Sequence, residues 1–309
     1  MRQYLDLMKE VLQYGELKEP ARPGMPRTLE LFGRMMKFNL REGFPLLTTK
    51  KMHYKGIIAE LLWFLSGSTN VYDLNRMGCK IWNDDAYKFY VKKAKSSKMD
   101  IISKEKWEYW LSAEPNDFYK WLYFDCGSIY GEQWRKFGTD FMTREGGFDQ
   151  ISNLINSIKE KPNSRYHIVS AWNPVDFLAY SEEAALPACH MLFQCSVRNG
   201  MYIDISVIMR SNDLFLGAPY NIASYALLAN LIASVTGHMP GELTYYVNSA
   251  HIYENHIDQI KEQLEREPLE LPGLYFEYKD SIFEYSVDDF KIENYKSHPS
   301  IKAPLSVGV

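Results

Sequence analysis

Three short stretches decide the fold of this chain: Leu186-Pro187-Ala188-Cys189-His190, Met209-Arg210-Ser211-Asn212-Asp213 and Gly217-Ala218-Pro219-Tyr220-Asn221-Ile222-Ala223-Ser224-Tyr225. The first two border runs of strand-like pattern, residues 190–197 and 201–209, and the third opens a strongly apolar helix ending near Thr236. Another strand-like run covers residues 242–249. Strands and helices in this mixed order favour an α+β fold, in which a mixed sheet is backed by long helices.

Patterns outside this segment extend the same architecture. Leu5, Met8 and Val11 recur at helical spacing and predict an amphipathic first helix. Residues 53–65 are apolar nearly all round, which is typical of a buried helix, and residues 146–161 predict a further amphipathic helix. Residues 88–125 are rich in lysine, tryptophan and tyrosine. We interpret them as a helical insertion within a single domain, residues 1–309.

Composition excludes several classes of protein. The chain has 309 residues, 46% hydrophobic and 24% charged, and a formal net charge of −4, so nothing favours binding to nucleic acid or to an anionic membrane. The apolar run 57–65 is too short to span a bilayer. The N-terminus is too polar for a secretory signal, so we expect a cytoplasmic protein, in the host cytoplasm if the chain is phage-encoded.

Metal and common cofactor sites are not expected. The four cysteines form no C-x-x-C pair, and His251 and His256 lack the spacing of a helical zinc motif. Phosphate-loop and dinucleotide fingerprints are also missing, which argues against ATP or NAD chemistry.

Cys189 is the best candidate nucleophile, because a thiolate is intrinsically reactive and neighbouring cations lower its pKa. Cys79, Cys126 and Cys195 are interpreted as packing residues. His190 follows Cys189 directly, so in a strand its side chain points to the opposite face and makes a poor direct base.

Six further motifs carry a resemblance to a known family. The chain resembles the thymidylate synthases over nearly its whole length, through Leu47-Thr48-Thr49-Lys50-Lys51, Ala59-Glu60-Leu61-Leu62-Trp63-Phe64-Leu65-Ser66-Gly67, Ile129-Tyr130-Gly131-Glu132-Gln133-Trp134-Arg135, Val169-Ser170-Ala171-Trp172-Asn173-Pro174, His251-Ile252-Tyr253 and His298-Pro299-Ser300-Ile301-Lys302-Ala303-Pro304.

The resemblance implies a reaction. Cys189 would attack C6 of the uracil ring of dUMP, and C5 would then take a one-carbon unit from 5,10-methylenetetrahydrofolate. Reductive methylation would give dTMP. No metal is implied.

The resemblance also implies roles for individual residues. The phosphate of dUMP would be held by Arg22, Arg165, Arg210 and Ser211. In this family the equivalent of Arg165 comes from the partner subunit, which implies a homodimer. The ribose would contact His251 and Tyr253.

The remaining implied roles concern the base, its protons and the folate. Asn221 would read uracil, because an amide matches both the O4 acceptor and the N3–H donor. Glu60 would move protons, within a network completed by Tyr130, His190 and Asp213. The folate would lie against Trp82, Asp213 and Lys50.

Departures from the family pattern keep two alternatives open. One arginine of the usual pair is replaced by Tyr166, Asn212 stands where cysteine is usual, and Gly308 and Val309 extend the tail. Weaker exclusion of water would let it capture the C5-methylene intermediate, giving 5-hydroxymethyl-dUMP instead. A noncatalytic nucleotide-binding homologue is the remote alternative, and the joint presence of the candidate residues counts against it.

Overall fold

The computed structural model describes residues 1–20, 24–113, 116–139, 146–179 and 184–304. The predicted α+β class is confirmed. Ten α-helices lie in the described ranges: α1 Arg2–Tyr14, α2 Tyr54–Ser66, α3 Val71–Arg76, α4 Asn83–Ser96, α5 Lys104–Ser112, α6 Asp117–Phe124, α7 Tyr130–Arg135, α8 Gln150–Glu160, α9 Ala218–Thr236 and α10 Ile257–Leu264.

The same part of the chain holds eight strands: β1 Glu16–Lys18, β2 Thr28–Asn39, β3 Ile168–Ser170, β4 His190–Arg198, β5 Tyr202–Asp213, β6 Met239–Tyr253, β7 Gly273–Tyr275 and β8 Lys291–Glu293. Six of them form one sheet in the order β1-β2-β6-β5-β4-β3, and β7 pairs with β8. All neighbours are antiparallel except β5 and β6, which run parallel.

Helix α9 makes that single parallel pairing possible. Parallel neighbours need a long crossover, and α9 supplies it between β5 and β6, packing on both. Fourteen of its nineteen residues are buried, as its strongly apolar sequence predicts. Gly237 ends α9 in the left-handed conformation (φ 75°), which glycine adopts without a Cβ penalty.

Helix boundaries differ from the predicted ones where a capping residue intervenes. The helix predicted from residue 146 begins at Gln150, because the Asp149 side chain accepts a hydrogen bond from the backbone N–H of Ser152 and caps the first turn. Helix α3 begins in the same way, since the Asn70 side chain accepts from Tyr72 N–H.

The segment predicted as an insertion is helical, comprising most of α4 together with α5 and α6. Its core is aromatic: the Trp107 ring lies 5.1 Å from Phe124 and 5.7 Å from Tyr87 between ring centroids. The indole N–H of Trp107 donates to the carbonyl of Tyr123 at 2.8 Å, which satisfies the polar atom of this buried ring. Within the described ranges, no helix combines the length and apolarity needed to span a bilayer.

Close approach of α2 and α7 depends on Gly131. A Cβ at this position would stand 2.4 Å from the carbonyl oxygen of Ser68. Backbone cannot yield as a flexible side chain does, so the contact requires glycine. This contact places Tyr130, at the start of α7, against Phe64 of α2, with 4.8 Å between ring centroids.

We predict that Gly131→Ala separates α7 from α2. The substitution is expected to lower the free energy of unfolding by roughly 1–3 kcal/mol, the usual cost of overpacking. Urea unfolding followed by circular dichroism measures this.

Gly56→Ala in α2 is the matched control. Its Cβ would meet the ring of His53, an exposed side chain that can move aside. Equal stability of the two variants would contradict the prediction.

Candidate active site

The sulfur of Cys189 lies beside the guanidinium group of Arg210. Cys189 immediately precedes β4, and Arg210 lies near the end of β5. The Arg210 amide donates to the Cys189 carbonyl at 2.7 Å. The Arg210 guanidinium contacts the sulfur through Nη2 at 3.6 Å, and its Nε donates to the carbonyl of Ala188 at 3.1 Å. A positive charge is thereby held against the candidate nucleophile.

Two opposing effects act on the Cys189 thiol. Burial raises its pKa, and the nearby Arg210 charge works against that rise without cancelling it. The sequence-based expectation that an arginine lowers this pKa is therefore correct for the sign of the Arg210 contribution, but the net shift is upward. Cys189 as a residue is partly exposed, whereas Cys79, Cys126 and Cys195 are buried, with raised pKa values typical of packing residues.

Tyr130 positions the backbone at the candidate nucleophile. Its hydroxyl oxygen accepts from the amide N–H of Cys189 at 2.8 Å and from that of His190 at 3.4 Å. Burial raises the Tyr130 pKa far above its usual value, so the hydroxyl remains protonated. Its remaining O–H can donate towards the site.

Glu60 occupies a largely enclosed position on α2. The indole N–H of Trp82 donates to its Oε1 at 2.7 Å. Burial raises the Glu60 pKa to about 7, and the Trp82 hydrogen bond only partly offsets this. A carboxyl group with this pKa both holds and releases protons at neutral pH, as a general acid–base group requires.

Asn221, at the start of α9, belongs to a chain of side-chain hydrogen bonds. Its Nδ2 lies 2.9 Å from His190 Nε2, and its Oδ1 accepts from Asn212 Nδ2 at 2.9 Å. The hydroxyl of Tyr245 in turn donates to Asn212 Oδ1 at 2.7 Å. Burial lowers the His190 pKa to about 3, so the ring is neutral at pH 7 and serves as a hydrogen-bonding group.

Ser211 and His251 face each other across the parallel pair β5 and β6. The Ser211 hydroxyl lies 3.4 Å from Nδ1 of His251, and Tyr253 packs its ring edge-on against His251 at 5.2 Å. Burial is the main reason that the His251 pKa is lowered. These three predicted substrate contacts therefore share one end of the sheet.

Asp213 and Lys50 form a second polar region next to Phe215. The Lys50 ammonium donates to the carbonyl of Phe215 at 2.5 Å, while Asp213 Oδ1 accepts from the N–H groups of Phe215 and Leu216. Burial lowers the Lys50 pKa to about 8, against the opposing charge of Asp213. Both backbone donors go to Oδ1, so Asp213 Oδ2 retains capacity for a polar ligand.

Of the two remaining predicted phosphate ligands, only Arg165 lies in the described part of the chain, and it is exposed. Arg22 lies outside the described residues. Arg165 is described, but it precedes β3 with an exposed side chain, and its carbonyl accepts from Gln194. Within the described ranges, no group of histidines, cysteines and acidic residues could hold a metal ion.

Sequence reasoning assigned no role to three residues near the predicted ones. Asn212 hydrogen-bonds Asn221, Tyr245 hydrogen-bonds Asn212, and the Trp172 ring lies 5.7 Å from the Arg210 guanidinium carbon. The unusual Asn212 was a visible signal, because asparagine stands there in place of cysteine. Tyr245 carried no local signal, since in sequence it is one aromatic residue within a strand.

We predict that Glu60 makes stability fall as pH rises. Its native pKa of about 7 exceeds the ordinary value of 4.5, so between these values the unfolded chain loses a proton that the native protein keeps. Glu60→Gln should remove this penalty, raising the free energy of unfolding by about 3 kcal/mol near pH 8 and changing it little near pH 4.5.

Urea unfolding of both proteins at the two pH values measures the difference. Glutamine preserves the acceptor for Trp82, which makes this variant its own packing control. The same pH dependence in both proteins would contradict the assignment.

Comparison with known proteins is consistent with this geometry. A sequence model described as thymidylate synthase matches residues 2–307. Three relatives named thymidylate synthase come from Malacoplasma penetrans (42% identical over 308 residues), Mesoplasma florum (41% over 307) and Listeria innocua (41% over 329). Each alignment covers 99% of this chain and 100% of the relative.

The family model and the three alignments cover nearly the whole chain, so the assignment does not depend on a single motif. The predicted resemblance is thereby confirmed. This chain belongs to the thymidylate synthase family.

Proposed function

We propose that this chain converts dUMP to dTMP with 5,10-methylenetetrahydrofolate as one-carbon donor, using Cys189 as the nucleophile. Family membership confirms the predicted reaction class, an enzymatic one-carbon transfer to dUMP. The observation that carries the residue assignment is the Cys189 sulfur held 3.6 Å from Arg210 Nη2. The relatives described above are all named thymidylate synthase, so the hydroxymethylase alternative is not favoured.

Covalent attack accounts for the residues around the sulfur. The Cys189 thiol loses its proton as its sulfur bonds to C6 of uracil, and negative charge develops towards O4. The raised pKa of the thiol means that attack and proton loss must be coupled. Glu60, with its pKa near 7, can hold the protons that the base exchanges.

Asn221 and the groups beside it select the nucleotide. The Asn221 amide has one N–H and one lone pair left after its two described hydrogen bonds. These match O4 and N3–H of uracil. Ser211 and Arg210 would bind the phosphate, and His251 with Tyr253 would contact the ribose.

The folate-binding residues fit a polar heterocycle. Trp82 offers an aromatic surface, while Asp213 and the buried Lys50 offer an acceptor and a cation. When bound, methylenetetrahydrofolate supplies the carbon and the hydride. The protein's own part is to hold it against C5 and to exclude water.

An uncovered apolar row on the sheet supports the homodimer. Met35 pairs with Tyr246, Tyr246 with Ile208, and Ile208 with Leu192 across four adjacent strands. Met35 and Tyr246 are exposed, and Ile208 and Leu192 are partly so. A row of this kind suits burial against a second copy. The exposed Arg165 would then reach the partner's phosphate site, and Arg22 would complete that site.

The same proposal covers the remaining sequence-based expectations. We take residues 1–309 as one catalytic domain carrying a helical insertion, and we place the enzyme in the cytoplasm. Nucleotide and folate are its small-molecule partners.

We predict that Cys189→Ala abolishes dTMP formation, by roughly a thousandfold or more, because the covalent step loses its nucleophile. Binding of dUMP should remain measurable, since Arg210 and Asn221 are unchanged. The rise in absorbance that accompanies dihydrofolate formation measures turnover.

Cys195→Ala is the matched control, because that thiol is buried in β4, and its turnover should persist. Formation of 5-hydroxymethyl-dUMP without dihydrofolate by the unmodified enzyme would contradict the proposed product.

We predict that two inactive variants complement each other. Mixing Arg165→Ala with Cys189→Ala subunits should restore about a quarter of full activity, because half the dimers are mixed and each mixed dimer has one intact site. Activity after denaturation and refolding of an equimolar mixture measures this.

Each variant refolded alone is the control. Activity that stays at the level of the separate variants would show that Arg165 does not act across subunits.

A further inference from the structure

Four side chains form a linear hydrogen-bonded chain behind the proposed base-reading residue. The Tyr245 hydroxyl donates to Asn212 Oδ1 at 2.7 Å, Asn212 Nδ2 donates to Asn221 Oδ1 at 2.9 Å, and Asn221 Nδ2 lies 2.9 Å from His190 Nε2. Tyr245 is fully buried and Asn212 is 4% exposed. Unmatched donors are costly at such depth.

Tyr245 sets the direction of this chain. Among the described residues, its hydroxyl makes only the hydrogen bond to Asn212. If the hydroxyl accepted from Asn212, its own hydrogen would be buried without an acceptor, a cost that native structures avoid. The Asn212 oxygen therefore faces Tyr245, and the Asn212 amide nitrogen faces Asn221.

His190 cannot set that direction itself. The ring is neutral, and either tautomer of a neutral imidazole offers one donor and one acceptor. Its Nδ1 is buried without a hydrogen-bond partner in the described part of the protein, so no second contact selects the tautomer. If His190 accepts from Asn221 Nδ2, its proton lies on Nδ1 and has no acceptor in the described part of the protein, so the ring does not itself favour this orientation of the Asn221 amide.

We infer that Asn212, oriented by Tyr245, is a specificity-determining positioning residue that holds the Asn221 amide in its uracil-reading orientation. The inference rests on the proposed function, because it assumes that Asn221 meets the pyrimidine. A uracil needs the Asn221 nitrogen at O4 and the oxygen at N3–H. Cytosine needs the amide reversed, which would bring the Asn221 nitrogen against the Asn212 nitrogen, donor against donor.

The test removes the orienting donor and measures binding of both nucleotides. Asn212→Leu replaces the amide by an apolar side chain of similar size. We expect dUMP binding to weaken and dCMP binding to strengthen, so that the dUMP-to-dCMP affinity ratio falls roughly tenfold, the value of one net hydrogen bond. Calorimetry in the Cys189→Ala background separates binding from chemistry.

A second variant separates positioning from packing. Asn212→Leu alone leaves the Tyr245 hydroxyl unsatisfied, whereas Asn212→Leu combined with Tyr245→Phe removes that buried hydroxyl and should recover thermal stability. The affinity ratio should remain low in the double variant. Recovery of the ratio together with stability would overturn the inference, because a purely structural role predicts it.

Asn230→Leu is the matched control on α9. Its amide donates to the carbonyl of Ala226 and does not contact Asn221. The dUMP-to-dCMP affinity ratio of this variant should therefore match that of the Cys189→Ala protein without it. Weakening of both nucleotides in parallel by Asn212→Leu would also overturn the inference. Absence of dUMP binding in the Cys189→Ala background itself would overturn the proposed function as well, which distinguishes the two failures.

Discussion

The backbone hydrogen bond from Arg210 N–H to the Cys189 carbonyl organises the whole site. It joins the residue before β4 to the end of β5, and it places a guanidinium group against the candidate sulfur. Parallel pairing of β5 with β6 then brings His251 beside Ser211. Helix α9 follows β5 directly and returns Asn221 to the same end of the sheet. One strand end therefore determines where the Cys189 thiol, two of the proposed phosphate ligands (Arg210 and Ser211) and the Asn221 amide meet.

Burial dominates the electrostatics of this site. It raises the pKa of Cys189 and Glu60 and lowers that of His190 and Lys50, so each ionisable group is pushed towards its neutral form. Such a site costs stability, because the unfolded chain solvates the charged forms freely. The same enclosure strengthens every hydrogen bond offered to a ligand and keeps water from the reacting atoms.

The hydrogen bonds of Asn212 explain in physical terms why this position departs from the family pattern. The residue is joined to Tyr245 on one side and to Asn221 on the other. Asn212 offers an acceptor to Tyr245 and a donor to Asn221, so these buried polar groups satisfy one another. The Tyr130 hydroxyl has a comparable role, because it accepts hydrogen bonds from the backbone amides of Cys189 and His190. Tyr130 thus contacts the candidate nucleophile directly, whereas Tyr245 contacts Asn221 only through Asn212.

The sequence by itself determined the fold class and the long helices, and it proposed the candidate reactive groups. Periodicity in α1 and the apolar length of α9 are local properties, and the ordered motifs along the chain indicated the family. Tertiary structure alone decided which residues touch. Asn212 and Tyr245 stand 33 positions apart, and the net pKa of Cys189 depends on how deeply packing encloses it. The exposed placement of Arg165 likewise follows from its position just before β3, at the sheet edge. Burial and cross-strand contact are properties of the assembled core, and no local pattern encodes them.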